Sequence, residues 1–211
     1  MEIKTLYFNE NCNIYLLINN QDCLIVDPGF NRNNCLINEI KSLKLNLKGV
    51  LITHAHFDHI EGLLNIKNVP IYIYKGEEKS LADSKLNCSF MTMFPFTVDA
   101  KDIRTISDNQ ILELCGIKIR VIHTPFHTAG SVCYYIKENK TLLSGDALFN
   151  KGIGRYDLVN NRADLTKDSL NKLFKLPHLK DDDTTVLPGH GEKTTLSKEY
   201  TFLKEDYSLL D

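Results

Sequence analysis

The stretch His54-Ala55-His56-Phe57-Asp58-His59 places four potential metal ligands within six residues. Side chains two positions apart on an extended segment point the same way, so two imidazoles can approach one metal ion together. The chain has 7 histidines, and three of them lie in this stretch. A buried neutral imidazole needs partners for both ring nitrogens, so packing alone explains such a cluster poorly. The stretch therefore predicts a metal site.

Three further motifs follow downstream: Thr124-Pro125-Phe126-His127-Thr128, Ser144-Gly145-Asp146-Ala147 and Pro188-Gly189-His190-Gly191. Each follows a strand-like run and precedes a turn signal, where loop-borne functional residues sit on a rigid scaffold. Taken singly, each could equally be a hydrogen-bonded structural residue. Together with the first stretch they supply the donors for two adjacent divalent ions and one activated water. We therefore predict a metal-dependent hydrolase with seven candidate ligands: His54, His56, Asp58, His59, His127, Asp146 and His190.

Not every residue near these motifs need bind metal. Asp58 opens a helical stretch and could be a plain helix N-cap, since free backbone N–H groups there favour a carboxylate. His123 comes just before the second motif, and we expect it to be structural. His178 follows Leu176-Pro177, and we expect it at the surface.

Two other aspartates have competing interpretations. Asp27 either orders a ligand histidine or only shapes the Asp27-Pro28-Gly29 turn. Asp157 is two residues from Arg155, and we expect the two side chains to pair as a structural clamp.

Composition places the chain among ordinary soluble proteins and excludes several classes. Its 211 residues fit one domain spanning 1–211, with 43% hydrophobic and 25% charged residues. The net charge of -2 gives no electrostatic case for nucleic acid. No apolar run approaches the ~20 residues of a membrane span. The start at 1–4 lacks a basic segment followed by an apolar stretch, so we expect no signal peptide and a cytoplasmic protein.

The 6 cysteines are expected to be reduced thiols acting as small hydrophobic residues, because no pair has CxxC spacing and the chain is long enough to build a core. Cys23, Cys115 and Cys133 lie in apolar, strand-like segments, which fits this view. Cys88 lies in a less regular stretch and could be exposed.

Hydrophobic periodicity predicts an alternation of strands and helices. An echo between 25–29 and 143–147 suggests two similar β-rich halves packed face to face, with helices outside. The stretch 84–101 is irregular and holds a cluster of Phe and Met residues, either as a loop packed on the body or as a lid facing the substrate. The predicted strands are 3–8, 14–18, 23–27, 50–52, 71–74, 102–106, 111–115, 117–124, 131–137, 141–145 and 186–187, and the predicted helices are 33–44, 166–176, 197–206 and a stretch from Asp58.

In this order the motifs resemble those of the metallo-β-lactamase-fold hydrolases over roughly residues 12–195. The first stretch matches HxHxDH, 124–128 resembles TPGHT, 144–149 resembles sGDxlF and 188–191 matches PGHG. The segment Gly152-Ile153-Gly154-Arg155-Tyr156-Asp157 is similar to one in the glyoxalase II-like branch. The resemblance implies an α/β fold, the four-layer αβ/βα sandwich of two mixed sheets face to face with helices outside.

The resemblance also implies a division of the ligands. His54, His56 and His127 would hold one ion, Asp58, His59 and His190 a second, and Asp146 would bridge both. The ions would be two divalent metals, zinc by preference, with iron or manganese possible because nitrogen and oxygen donors select weakly. A metal-bridging hydroxide would be the nucleophile, and Asp58 could orient it as a catalytic residue.

The activity implied is cleavage of a small-molecule acyl thioester, of hydroxyacylglutathione hydrolase type. The alternatives are a persulfide dioxygenase-like iron oxidoreductase, a lactonase, or a non-catalytic binding member. A true β-lactamase is disfavoured because Asp146 stands where those enzymes lack a bridging carboxylate. Oligomeric state is left open, and 90–96 could serve an interface as easily as a lid.

Three departures from the family pattern bear on substrate. Phe126 stands where glycine is usual, so an aromatic ring could face the pocket. The segment Glu199-Tyr200-Thr201-Phe202-Leu203 only partly matches the family's C-terminal pattern. We also expect no helical C-terminal region of the full-length glyoxalase II kind, which supplies basic glutathione-binding residues. The chain therefore resembles the short, single-domain glyoxalase II-like proteins.

Overall fold

Each half of the chain builds one six-stranded mixed sheet. The computed structural model describes residues 1–7, 12–30, 34–179 and 181–206. In the first sheet the strands lie side by side in chain order, antiparallel from β1 to β3 and parallel from β3 to β6. Its strands are β1 (Glu2–Leu6), β2 (Ile14–Asn19), β3 (Asp22–Val26), β4 (Asn46–Leu51), β5 (Ile71–Tyr74) and β6 (Ile103–Ile106).

The second half repeats this mixture of antiparallel and parallel pairs. Its sheet has the order β14-β13-β10-β9-β8-β7, and only β10 and β13 run parallel. The short strands β11 and β12 pair with each other outside it. The strands of this half are β7 (Ile111–Leu114), β8 (Ile117–His123), β9 (Val132–Ile136), β10 (Thr141–Gly145), β11 (His178–Leu179), β12 (Asp182–Asp183), β13 (Thr185–Pro188) and β14 (Thr194–Thr195).

Helices cover the outer faces of both sheets. The helices are α1 (Cys35–Ser42), α2 (Phe57–Ile60), α3 (Glu78–Leu81), α4 (Thr166–Leu173) and α5 (Leu196–Asp206), with a 3₁₀ turn at Glu61–Asn65 directly after α2. Within the described ranges, no helix has the length and apolar character that crossing a bilayer would require.

Alternation along the strands explains the layers, because successive side chains point to opposite faces of a sheet. In β2, Tyr15 and Leu17 face the apolar layer between the sheets, while Ile14 and Leu16 face the layer under the helices. In β9, Tyr134 faces inward in the same way. The helices α4 and α5 pack on the other side of the second sheet. The predicted α/β four-layer sandwich, with helices outside two face-to-face mixed sheets, is confirmed.

Most predicted elements appear within a residue or two, and the differences have local causes. The predicted helix 166–176 ends at Leu173, ahead of Leu176-Pro177, because the residue before a proline is biased away from helical angles. The sequence did not reveal α3, β11, β12 or β14, which are too short to show a period. Position 33 of the predicted first helix and position 8 of the predicted first strand lie outside the described residues.

The irregular stretch 84–101 combines a packed base with an exposed tip. Cys88 and Val98 are buried, whereas Met93 and Phe94 are exposed. The alternative of an exposed Cys88 is therefore excluded, and its burial fits a thiol that acts as a small hydrophobic residue. A 3₁₀ turn at Ser89–Met91 follows it and turns its side chain into the body of the protein.

A leucine in the central layer tests this architecture. Leu24 of β3 is fully buried between the sheets, whereas Leu179 of β11 is 70% exposed. We expect Leu24→Ala to lower the free energy of unfolding by about 2–5 kcal/mol, because it removes buried methyl groups and leaves a cavity. The matched control Leu179→Ala should change it by less than about 0.5 kcal/mol. Urea denaturation followed by circular dichroism measures both, and equal effects would contradict the assigned layers.

Candidate metal centre

The seven predicted ligands meet at one edge of the sandwich. Each lies in a loop or short helix that follows a strand, so the strand ends deliver them to the same place. The donor atoms fall into three groups within which all atoms lie no more than 4.8 Å apart. The groups are His54 with His56 and His127, His54 with His59 and Asp146, and Asp58 with His59 and His190.

In the first group, three imidazole nitrogens point at one another. Nδ1 of His56 lies 2.9 Å from Nε2 of His127, which lies 3.2 Å from Nε2 of His54. All three side chains are buried. Neighbouring carbonyl and carboxylate acceptors decide which of these nitrogens carry a proton.

His127 and His54 present lone pairs to the centre. Nδ1 of His127 lies 2.6 Å from the Arg155 carbonyl oxygen, which can only accept, so the proton is on Nδ1. Nδ1 of His54 lies 3.2 Å from Oγ1 of Thr53. Since Thr53 Oγ1 donates its own proton to Asp27, it is free to accept from His54. Both Nε2 atoms are therefore unprotonated and face the same point.

Asp27 controls this arrangement and that of His59. Its Oδ1 accepts from the Thr53 backbone N–H at 2.8 Å, and its Oδ2 accepts from Thr53 Oγ1 at 2.6 Å. The same Oδ2 lies 2.9 Å from Nδ1 of His59, which therefore carries the proton. The interpretation of Asp27 as a residue that orders a ligand histidine is favoured by this contact. Outer hydrogen bonds of this kind fix the tautomer and orientation of metal-binding imidazoles.

Burial keeps the first group neutral. It lowers the pKa of His54 and of His127, and it lowers the pKa of His56 to about 3. The positive charge that a neighbouring imidazole would carry acts in the same direction. Near pH 7 these rings are therefore uncharged, which is the state that binds a metal ion.

The third group combines the Asp58 carboxylate with two imidazoles and is more open. Oδ2 of Asp58 lies 3.2 Å from Nε2 of His190, and the Nε2 atoms of His59 and His190 are 3.3 Å apart. The side chain of His190 is 33% exposed, whereas that of His59 is fully buried. Burial opposes a charge on His190, but hydrogen bonds to Asp146 and Asp58 outweigh it and raise its pKa to about 9. This position therefore favours a cation.

Asp146 belongs to the second group and lies between the first and the third. Its Oδ1 is 3.3 Å from Nε2 of His59, and its Oδ2 is 3.4 Å from Nε2 of His127. Gly189 allows this approach, because a Cβ there would collide with the Asp146 carboxylate and the His59 ring. The donor set fits a pair of divalent cations, since the three groups consist of imidazoles and carboxylates, which supply the nitrogen and oxygen donors that such ions accept.

Two histidines stand apart from these groups. The His123 ring stacks on Tyr74 with centroids 3.9 Å apart, and its Nε2 contacts the Ala129 carbonyl oxygen at 2.9 Å. His178 lies at the surface but is half-buried, with its ring packed beside those of Phe174 and Tyr200. The cause is the pairing of β11 with β12, which holds His178 against α5.

Three further predictions concern neighbours of the ligands. Phe126 is fully buried in the layer beneath α4, so its ring does not face the pocket. Arg155 and Asp157 form the predicted pair through two hydrogen bonds of 2.6 and 2.8 Å.

Asp58 is not the helix N-cap, because α2 begins one residue earlier and His56 occupies that position. The first turn of α2 instead points Asp58 at His190.

Sequence reasoning missed Glu77, a buried carboxylate that ties together the two loops of the first group. Its Oε1 accepts from the Ala55 backbone N–H and its Oε2 from the Gly130 backbone N–H, both at 3.1 Å. Ala55 lies between His54 and His56, and Gly130 follows His127 by three residues. Glu77 is therefore a positioning residue for all three imidazoles. The sequence around Glu77 does not indicate this role, because Glu77 precedes a helix of only four residues, which is too short to show a periodic pattern.

Replacing this carboxylate with an amide tests its role. In Glu77→Gln, an NH₂ group faces one of the two backbone N–H donors, so one hydrogen bond is lost and the loops separate. We expect Zn²⁺ to bind about tenfold more weakly at the site of His54, His56 and His127. Metal affinity falls by about this factor when a hydrogen bond that orients a ligand is removed. Isothermal titration of the chelator-stripped protein measures it.

The control is Glu78→Gln, the same change one residue along, at a half-buried side chain that accepts a hydrogen bond from the Gly76 backbone N–H. This control variant should bind Zn²⁺ at both sites with the affinity of the unaltered protein. Equal Zn²⁺ affinities in Glu77→Gln and the unaltered protein would show that the carboxylate does not position the loops.

Comparison with known sequences places this constellation in a family. The model of the metallo-beta-lactamase superfamily matches residues 8–190. The probable metallo-hydrolase YqgX of Bacillus subtilis (strain 168) is 38% identical over 193 residues, covering 89% of this chain and 88% of the relative. The hydroxyacylglutathione hydrolase GloC of Haemophilus influenzae is 32% identical over 198 residues, covering 91% of this chain and 90% of the relative.

Solved structures agree with this placement. The crystal structure of BLEG-1 B3 metallo-beta-lactamase has a TM-score of 0.88 and 32% identity, covering 99% of both chains. The crystal structure of TTHA1623 in a di-iron-bound form has a TM-score of 0.80 and 28% identity, covering 95% of this chain and 97% of the other. The resemblance drawn from the sequence motifs is confirmed. With its His/Asp edge and its paired mixed sheets, the chain belongs to the metallo-beta-lactamase superfamily.

Proposed function

We propose that the protein is a metal-dependent hydrolase that holds two divalent ions and cleaves an acyl thioester. The observation that carries the proposal is the position of Asp146, whose two oxygens lie 3.3 Å from His59 Nε2 and 3.4 Å from His127 Nε2. A carboxylate between two groups of imidazoles suits two ions that lie side by side. When bound, such a pair lowers the pKa of a shared water and polarises a carbonyl group.

The open face of the centre sets the direction of substrate approach. The side chains of His190 and Asp58 are 33% and 20% exposed, whereas those of His127 and His59 are almost completely buried. A substrate therefore reaches the centre beside Asp58 and His190. We assign Asp58 to orienting the attacking water, because its carboxylate stands at this entrance.

The reaction is a hydrolysis in which one bond forms and one breaks. The water oxygen bonds to the thioester carbonyl carbon, and the carbon–sulfur bond breaks with its electron pair leaving on sulfur. The products are a carboxylate and a thiol, with one proton released to solvent. Asp58 can accept a hydrogen bond from the attacking water, and His190 beside it can hold a proton at Nε2 in the free protein.

A thiol of the protein is a poor candidate for the nucleophile. Cys12 Sγ lies 3.6 Å from His59 Nδ1, but burial raises its pKa to about 12. The reactive form of cysteine is the thiolate, so Cys12 is unreactive near pH 7. This supports direct attack by water.

One relative supports a thioester as the substrate. A hydroxyacylglutathione hydrolase at 32% identity over 91% of this chain favours a thioester. The name of YqgX goes no further than a probable metallo-hydrolase. For the ions we propose zinc, with iron as the competitor because TTHA1623 was solved in a di-iron-bound form.

Removing the shared carboxylate tests the dinuclear assignment. We expect Asp146→Ala to lose at least one of two bound ions and to reduce thioester turnover more than about 100-fold, since a ligand to both groups is gone. Elemental mass spectrometry of anaerobically purified protein gives the metal content. The control Asp164→Ala removes an exposed aspartate paired with Arg162 and should change neither quantity.

Activity is measured with lactoylglutathione and with a simple acyl thioester. Turnover with close to two ions per chain supports the proposal. Hydrolysis of nitrocefin or a lactone without thioester turnover would overturn the substrate class, and so would oxygen uptake with a persulfide and one iron per chain. An Asp146→Ala variant that keeps two ions and full turnover would overturn the assigned position of the carboxylate.

A further inference from the structure

The segment 188–191, which we call the His190 loop, carries the most exposed histidine of the metal centre. The side chain of His190 is 33% exposed, whereas the other histidine ligands are buried. The polar contacts that the described residues make with its ring run through Nε2 and come from other ligands, namely Asp58, His59 and Asp146. The position of the ring is therefore set by the backbone of the loop that carries it.

One residue from the first half of the chain spans this loop. The side-chain amide nitrogen of Asn13 donates to the carbonyl oxygens of Pro188 and Gly191, each at 2.9 Å. The backbone N–H of Asn13 donates to the Gly189 carbonyl oxygen at 2.7 Å. Carbonyl groups on both sides of His190 thus accept hydrogen bonds from a single residue.

The chemistry of these contacts fixes the orientation of the Asn13 amide. Carbonyl oxygens only accept, so the amide NH₂ group faces them, and the opposite orientation would set the amide oxygen against two carbonyl oxygens. Gly191 has a φ of 74°, a left-handed conformation that glycine adopts without strain, and the chain turns there toward the same amide. Because Asn13 is buried, water would have to enter the protein to replace its amide.

Tyr15 adds a second side chain to this arrangement. Its hydroxyl donates to the Pro188 carbonyl oxygen at 2.6 Å. Tyr15 lies in β2 opposite Val26 of β3, the residue before Asp27, so the same pair of strands supports both the loop and the Asp27 carboxylate. We call Asn13 and Tyr15, which stand at the start of β2, the β2 clamp.

We propose that the β2 clamp positions His190 for the ion that it would hold with Asp58 and His59, and that the clamp sets the affinity for this ion alone. The inference rests on the two-ion centre of the proposed function and is independent of the substrate. The clamp binds the backbone on both sides of His190, so it places the ring without touching it. The imidazoles of the first group are positioned by Glu77 instead, so their affinity for an ion should not depend on the clamp.

Titration of the chelator-stripped protein with Zn²⁺, followed by isothermal calorimetry, measures the two affinities. Asn13→Ala removes both amide donors from the His190 loop. We expect one ion to bind about 10- to 100-fold more weakly, the range known for lost outer hydrogen bonds of ligands, and the other to bind as before. Tyr15→Phe removes one hydrogen bond and keeps the ring, so the same ion should bind about two- to tenfold more weakly.

The matched control is Asn19→Ala, at the opposite end of β2. The Asn19 amide nitrogen donates to the Cys115 carbonyl oxygen at 2.8 Å, so the same change removes the same kind of hydrogen bond far along the strand from the His190 loop. This variant should bind both ions with the affinity of the unaltered protein. Circular dichroism checks the fold of each variant, and Tyr15→Phe carries the test if Asn13→Ala does not fold.

Combining a clamp variant with Glu77→Gln identifies which ion is affected. If the clamp and Glu77 act on different ions, both affinities fall in the double variant. If one affinity falls by the product of the two factors and the other does not change, both act on the same ion and the proposal is wrong. Equal weakening of both ions in Asn13→Ala and Tyr15→Phe, or of neither, would overturn the clamp and leave the two-ion centre intact. An unaltered protein that binds only one ion would overturn the two-ion centre and the selective role of the clamp with it.

Discussion

The carboxylate of Asp27 is the contact on which the geometry of the metal centre depends. It stands at the end of β3, accepts two hydrogen bonds from Thr53 at the end of the neighbouring parallel strand, and holds Nδ1 of His59 at 2.9 Å. A carboxylate only accepts, so the direction of every proton in this chain of contacts is set. Through Thr53 the same anion also fixes the tautomer of His54. One buried charge thereby orients imidazoles in all three donor groups.

The same edge is where the two sheets are joined by hydrogen bonds as well as by apolar packing. The Val132 backbone N–H donates to the Thr53 carbonyl oxygen at 2.8 Å, and Tyr134 Oη donates to the Ile52 carbonyl oxygen at 2.8 Å. At the other side of the centre, the Asn13 backbone N–H donates to the Gly189 carbonyl oxygen at 2.7 Å. These bonds hold the ligand loops of one half against those of the other. Rigid ligand positions follow from this, because each loop is bonded at its backbone.

The ligand motifs could be predicted from the sequence because several potential ligands lie close together in short segments such as His54–His59. The four-layer fold followed from two runs of strands and from the family resemblance. Glu77 could not be found this way, because its partners Ala55 and Gly130 are 22 and 53 residues distant and only the folded chain brings them together. The burial of Cys88 and the packing of His178 could not be predicted for a related reason. Their burial is decided by a turn and by a two-residue strand, both below the length at which a period can be seen.

The division of the donors between the halves has a consequence for how the protein matures. Each of the three groups takes two members from the first half of the chain and one from the second, namely His127, Asp146 or His190. A partly synthesised chain that ends before the second sheet therefore offers only two donors at each position. Full coordination begins when the second sheet docks, and from then on a bound ion stabilises the docked state by an amount that grows with the logarithm of its concentration over its dissociation constant. The complete donor sets and the finished pocket therefore arise in the same step, when the two sheets meet.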